Sequence, residues 1–203
     1  MQVKVCGLKT SIEVKTCISN NANFCGFILN YKKSHRFINY QTAKQLTQIG
    51  KQGTFYVGVL VNPSEKELKK FSDLNLDYFQ IYADYSQERI KEIKDKYKKK
   101  IIMSLQIKQK SDILKYKIYE KAVDIILFDS SGLHQSLSWN YDWMKQVPLS
   151  VKKMIAGNIN VDMLENLKEI TDIVDASGAL ETDKVKDLGK IKNFLNKVKH
   201  IND

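Results

Sequence analysis

Met1-Gln2-Val3-Lys4-Val5-Cys6-Gly7-Leu8-Lys9 is the stretch on which the fold turns. A β-branched run begins at once and stops at Cys6-Gly7-Leu8-Lys9, where an open doubly wound sheet would usually carry a glycine fingerprint. This stretch is not one. Moving outward, short β-branched or apolar runs recur at residues 3–5, 24–29, 54–61, 78–81, 101–105, 124–129, 153–156 and 173–175, and they read as eight strands. Residues 64–73, 86–96, 162–169 and 183–199 place apolar side chains three and four apart behind Ser or Asp at a capping position, which is the pattern of helices. Strand-then-helix units fill the chain with no linker or composition shift, so a parallel sheet made of right-handed crossovers is expected. The fold class expected is α/β, a single (βα)8 TIM barrel of near-minimal size over residues 1–203.

Composition narrows the function classes. The 203 residues are 43% hydrophobic and 28% charged, which excludes disorder and collagen-like repetition. The net charge of +10 could serve a polyanion or a solvated surface, and the surface reading is favoured. Only Arg36 and Arg89 are arginine among 33 basic residues, and the basic runs at 94–100 and 184–199 carry acids at helical spacing. No nucleic-acid partner is therefore expected. Cys6, Cys17 and Cys25 form no C-x-x-C pair, so neither a disulfide framework nor a zinc site is indicated and a reducing cytoplasm is the expected home. No charged leader with an apolar core opens the chain and no long apolar run follows, so no membrane association is expected. His35, His134 and His200 show no metal-ligand spacing, and His200 falls in a tail expected to fray.

In a barrel of this kind, chemistry sits where strands end, and that rule selects the residues to weigh. Cys6 closes the first strand, where a thiol is either a small buried hydrophobe or a base whose pKa nearby cations lower. Alternation points Lys4 to the same side as Cys6, either as a structural ion partner or as that cation. Asp129 ends the apolar run Ile125-Ile126-Leu127-Phe128 and is either a helix cap or a functional acid; the irregular Ser130-Ser131-Gly132 after it favours the acid. Arg36, in Lys33-Ser34-His35-Arg36-Phe37-Ile38, marks either a site needing a planar cation or a surface ion pair. Ala156-Gly157-Asn158 and Asp175-Ala176-Ser177-Gly178-Ala179 offer small residues through which backbone N–H groups can approach a phosphate, as ordinary turns also do.

Taken in order, these pieces resemble the phosphoribosylanthranilate isomerase family of (βα)8 barrels. The resemblance adds Gly26-Phe27-Ile28, Val57-Gly58-Val59-Leu60-Val61-Asn62, Gln80-Ile81 and Tyr141-Asp142-Trp143 to the segments above, and it covers nearly the whole chain. It implies an intramolecular oxidoreductase of tryptophan biosynthesis that converts N-(5-phosphoribosyl)anthranilate to 1-(2-carboxyphenylamino)-1-deoxyribulose 5-phosphate by an Amadori rearrangement. By match to the family motifs, Asp129 would protonate the furanose ring oxygen and Cys6, as thiolate, would remove the C2 proton. Arg36 and Gln80 would bind substrate, and Gly157, Asn158, Ser177, Gly178 and Ala179 would bind phosphate. The resemblance implies no cofactor, no metal, a small phosphorylated substrate, and a cytoplasmic monomer or homodimer.

Several positions depart from the family pattern. Loop six reads Gln135-Ser136-Leu137-Ser138-Trp139 where a glycine-rich run is usual, which implies a stiffer loop. Asn158 replaces a glycine but tolerates positive φ, Ser177-Gly178-Ala179 replaces S-S-G, and Tyr82 replaces a histidine. Two other readings stay open on the residues alone: a related phosphoribosyl-sugar isomerase, and a basic binding module that has lost catalysis.

Overall fold

Along the chain the computed structural model, which describes residues 1–130 and 137–203, runs β1 (Gln2–Cys6), α1 (Ser11–Ser19), β2 (Phe24–Ile28), α2 (Tyr40–Leu46), β3 (Phe55–Val61) and α3 (Glu65–Ser72). It continues with β4 (Tyr78–Tyr82), α4 (Gln87–Tyr97), β5 (Lys100–Ile107), α5 (Tyr116–Tyr119), β6 (Ile125–Ser130), β7 (Lys153–Ile155), α6 (Leu164–Leu167) and β8 (Ile173–Ala176). A short hairpin of β9 (Glu181–Thr182) and β10 (Val185–Lys186) precedes α7 (Leu188–Asn202). Strands β1 to β8 are parallel and follow chain order around a closed barrel, with β1 paired to both β2 and β8. The expected barrel is therefore observed, with all eight strands near their expected bounds.

Of the expected caps, Ser64 and Ser86 are observed, and α1 adds Thr10. Thr10 with Glu13 and Ser64 with Glu67 form reciprocal capping boxes at α1 and α3, and Ser86 accepts from the Arg89 N–H at α4. Three expectations need correction. The helix expected over 183–199 begins at Leu188, because Asp187 takes the Gly189 and Lys190 N–H groups while 181–186 turn back as a hairpin. The helix expected over 162–169 is only a 3-10 turn (Val161–Met163) followed by the four-residue α6, with Asn160 as its cap. His200 lies within α7 and is not in a frayed tail, because the Asn202 side chain bonds both the Met1 amine and the Met1 carbonyl, each at 2.8 Å.

Period-two alternation sorts the side chains of each strand. Phe24, Val57, Tyr78, Ile102, Leu127, Met154 and Ile173 fill the barrel, while Val3, Val5, Cys25, Phe27 and Phe79 pack outward against the helices. Burial of each large apolar side chain contributes about 1.5–3 kcal/mol. Lys4, wholly buried, stands out against this inner wall.

A repeated device closes the base of the barrel. Asn23, Asp77, Asp124 and Asp172 each precede an even-numbered strand, and their side-chain oxygens accept the backbone N–H of Val3, Tyr56, Ile101 and Lys153 on the preceding odd-numbered strand at 2.7–2.8 Å. Each also donates its own N–H to the carbonyl of that same residue, so every second strand pair is clamped by a reciprocal ring. The side chain replaces a ladder partner that the strand end lacks. Asp172→Ala strips the Lys153 N–H of that acceptor and should lower stability by about 1–2 kcal/mol. Urea denaturation should show a lower midpoint with an unchanged slope, and an unchanged midpoint would mean that the clamp contributes nothing.

Candidate active site

The cleft lies at the C-terminal ends of the strands, and its construction begins with Lys4. The β1–β8 register sets Lys4 beside Asp175, and Lys4 Nζ donates to Asp175 Oδ2 at 2.7 Å inside the barrel. Burial works against the Lys4 ammonium, but Asp175 and Cys6 outweigh it and hold its pKa above the ordinary lysine value. The structural reading of Lys4 is therefore correct, and its partner Asp175 had not been singled out in the sequence. Burial pushes the Asp175 carboxyl up and Lys4 pulls it back; at 2.7 Å we take the pair as ionised.

Cys6 stands two residues above Lys4 on the same inward face, and the register places it beside Gly26. A Cβ on Gly26 would lie 2.9 Å from Cys6 Sγ and 3.1 Å from Lys4 Cε, so the glycine makes the room that the thiol and the ammonium share. The pKa expectation for Cys6 is corrected here. Burial raises the thiol above its ordinary value, and Lys4, which lowers it, does not prevail. Cys17 on α1 and Cys25 on β2 are buried, as their structural reading expects.

Asp129 points inward from β6. Its Oδ1 accepts the Ser130 N–H at 2.7 Å and its Oδ2 accepts the Tyr82 hydroxyl at 2.7 Å. Burial pushes the carboxyl up to about 6 against the Tyr82 hydrogen bond, so it carries a proton more readily than an exposed aspartate. Tyr82 in turn receives Gln80 Nε2 at 3.2 Å, while the buried Gln80 Oε1 and Asp175 Oδ1 have no hydrogen-bond partner among the described residues. Two unmatched acceptors in one cleft suit a ligand rich in hydroxyl groups.

Arg36 lies on the loop after β2 and crosses the start of the loop after β1. A Cβ on Gly7, whose φ is +78°, would meet Arg36 Cδ at 2.5 Å, so only glycine suits both the backbone and the crossing. Arg36 forms an ion pair, but a largely buried one and not one on the surface. It lines the cleft, and its Nε and Nη2 also grip Glu181 at 2.6 and 2.9 Å. Burial would raise Glu181, but Arg36 and Lys186 overcome it and bring the carboxyl to about 2.

Gly157, Asn158, Ser177 and Gly178 line the same cleft as Cys6, Arg36, Gln80 and Asp129, and Asn158 adopts φ +52°. Ala179 is not among the lining residues and sits in the 3-10 turn Gly178–Leu180. The loop-six segment at 131–136, with His134, Gln135 and Ser136, lies outside the described residues; beyond it, Trp139 Nε1 donates to Ala156 O at 2.9 Å. Among the described residues no group of three or more His, Cys, Asp or Glu could hold a metal ion. Sequence reasoning also passed over Glu181 and Lys186; their signal was position alone, four to nine residues beyond Ser177 after the last barrel strand.

Known proteins share this architecture. A family model for N-(5'phosphoribosyl)anthranilate (PRA) isomerase matches residues 3–197. The N-(5'-phosphoribosyl)anthranilate isomerase of Thermoanaerobacter pseudethanolicus is 31% identical, covering 99% of both chains. A crystal structure of phosphoribosyl anthranilate isomerase from Thermotoga maritima is 22% identical and superposes with a TM-score of 0.88 over 98% of this chain and 99% of that one. A structure of phosphoribosyl anthranilate isomerase in complex with reduced 1-(o-carboxyphenylamino)-1-deoxyribulose 5-phosphate, 21% identical, superposes at 0.85 over 98% and 99%.

Because the Tyr82 hydroxyl stabilises the charged form of Asp129, Tyr82→Phe should raise the Asp129 pKa above about 6, by about one unit. A carboxyl-carbon NMR titration reads the shift. An unchanged or lower value would contradict the hydrogen bond's role.

Proposed function

Because the chain belongs to the N-(5'-phosphoribosyl)anthranilate isomerase family, we propose that its cleft carries out the Amadori rearrangement of tryptophan biosynthesis with Asp129 as general acid and Cys6 as general base. Membership makes it an isomerase, and the placement of a proton-holding carboxyl and a buried thiol in one cleft is the observation that carries the assignment. Asp129 gives its proton to the furanose oxygen, the C1–O bond breaks, and the amine lone pair forms a Schiff base at C1. Cys6 thiolate then takes the C2 proton, and the C–H electrons form the C1–C2 double bond as the iminium is neutralised. The enolamine so formed tautomerises to the aminoketose, C1 gaining a proton as the C2 hydroxyl loses one.

The remaining site residues have separable tasks. Arg36 faces the aryl carboxylate or ring with whatever of its guanidinium Glu181 does not hold. The unmatched Gln80 Oε1 takes a sugar hydroxyl. Gly157, Asn158, Ser177 and Gly178 give backbone N–H groups to the phosphate, with Ala179 in support just behind them. We read residues 1–203 as one barrel domain, monomeric or homodimeric and cytoplasmic, taking a small phosphorylated substrate and no nucleic acid. Three buried, unpaired cysteines suit a reducing compartment, and among the described residues no helix is long and apolar enough to cross a membrane.

The ionisation states fix a pH signature. Productive enzyme needs Asp129 protonated, a fraction that falls above about pH 6, and Cys6 deprotonated, a fraction that falls below its raised pKa. Between the two values these changes cancel, so kcat/KM should be flat from about pH 6 to alkaline pH and fall on both sides. Cys6→Ala and Asp129→Asn should each cost at least about a hundredfold in kcat while leaving the fold intact. Near-normal turnover by either variant would remove that residue from its role, and a wild-type protein unable to restore growth without tryptophan to a bacterium lacking this isomerase would overturn the reading.

A further inference from the structure

Beyond the cleft's floor, the rim holds a charge cluster around Arg36 whose other members, Glu181, Lys186 and His35, have no task in the reaction scheme. Glu181 receives four contacts: Arg36 Nε at 2.6 Å and Lys186 Nζ at 2.6 Å on Oε1, and Arg36 Nη2 at 2.9 Å and His35 Nε2 at 3.1 Å on Oε2. The centre of the cluster is buried, with Glu181 and Lys186 side chains 8% and 2% exposed, while Arg36 and His35 lie outside it at 17% and 35%. Glu181 and Lys186 face each other across the β9–β10 hairpin, whose turn puts Asp183 and Lys184 at φ +51° and +63°. A two-residue hairpin turn requires positive φ at both central positions, and Asp183 and Lys184 meet that requirement.

The cluster reaches both ends of the cleft. Lys186 Nζ also donates to the Ser177 carbonyl at 3.0 Å and lies 3.3 Å from Ser177 Oγ, and that hydroxyl donates to the Cys6 carbonyl at 3.0 Å. At the other end the Arg36 stem lies over Gly7. Glu181 takes the Nε–Nη2 edge of the guanidinium, so a ligand carboxylate meets the opposite edge or the flat face in a fixed orientation.

We propose that Glu181 is a positioning residue that locks the Arg36 fork toward the aryl carboxylate of the substrate and seats Lys186 as a buried cation behind the phosphate loop at Ser177. One carboxylate thereby spaces the two anion-binding ends of the cleft. This rests on the isomerase reading above. It also opposes the simplest electrostatic expectation, because deleting an anion beside two cations should by charge alone improve the binding of an anionic substrate. Positioning gives the opposite sign at the aryl end.

Steady-state kinetics of the full chain with N-(5-phosphoribosyl)anthranilate, and competitive inhibition by inorganic phosphate, separate the two. Glu181→Gln should raise KM about tenfold or more, with kcat within about threefold and the phosphate inhibition constant raised as well, since Lys186 loses the carboxylate that seats it. Lys186→Met, which leaves the Arg36–Glu181 pair intact, should raise the phosphate inhibition constant about tenfold. It keeps the proposal testable if Glu181→Gln fails to fold. A lower or unchanged KM for Glu181→Gln, or phosphate inhibition unaltered in Lys186→Met, overturns the proposal. Wild-type protein that fails to turn over the substrate instead overturns the isomerase reading, so the two failures are distinguishable.

Discussion

A single buried ion pair organises the catalytic end of this barrel. Lys4 and Asp175 meet at 2.7 Å in an interior otherwise lined by Phe24, Val57, Tyr78, Ile102, Leu127, Met154 and Ile173. Neither charge is tolerable there alone, and removing one partner of a buried pair commonly costs about 3–5 kcal/mol. The pair also lies on the seam where β1 meets β8 and the barrel closes. Register there decides more than pairing: a slip of one residue would turn Lys4 and Cys6 outward together and bring Val3 and Val5 in.

Above the pair, burial raises both working groups and the cation opposes it. Cys6 is within its field, beside the space that Gly26 leaves. Asp129, three strands away around the ring, holds its proton to a higher pH than an exposed aspartate because burial outweighs the Tyr82 hydroxyl. A raised thiol and a raised carboxyl at opposite walls leave the resting cleft with both protons in place at mildly acidic pH, and only a minor population holds the thiolate together with the acid. The rim cluster of Arg36, Glu181 and Lys186 is a second, shallower set of charges. It connects the loop after β2 to the hairpin after β8, while the deep pair connects β1 to β8.

Legibility in the sequence tracked the range of the interaction. Alternation within a strand is local, so the inward orientation of Lys4 and Cys6, and the strand-end positions of Asp129 and Gly157, could be read directly. The partners of those groups come from strands far apart in sequence. Asp175 is 171 residues from Lys4 and Glu181 is 145 from Arg36, and neither pairing leaves a periodic trace. The sign of the Cys6 shift was misjudged for the same reason, since it depends on burial by the whole barrel. Asp183 and Asp187 are the same residue type four apart, and only the intervening hairpin decides which one caps α7. The Asn23, Asp77 and Asp172 positions stand one residue before expected strands and look like ordinary loop polar residues, while Asp124 falls inside the expected strand 124–129, so the repeat is not visible from those bounds.

The measurement that tests this account most directly is the titration of the Cys6 thiol with and without the ion pair beneath it. Site-resolved alkylation by iodoacetamide across pH, read by peptide mass, reports the thiolate fraction at Cys6 separately from buried Cys17 and Cys25. In the wild-type protein the midpoint should lie above the ordinary thiol value, because burial outweighs Lys4. In a Lys4→Met, Asp175→Asn double variant, which removes both charges and leaves no unpaired one, the midpoint should move higher still, since the attraction of Lys4 exceeds the repulsion of Asp175. A midpoint that stays put or falls would contradict the claim that the buried cation draws the thiol's pKa down against burial.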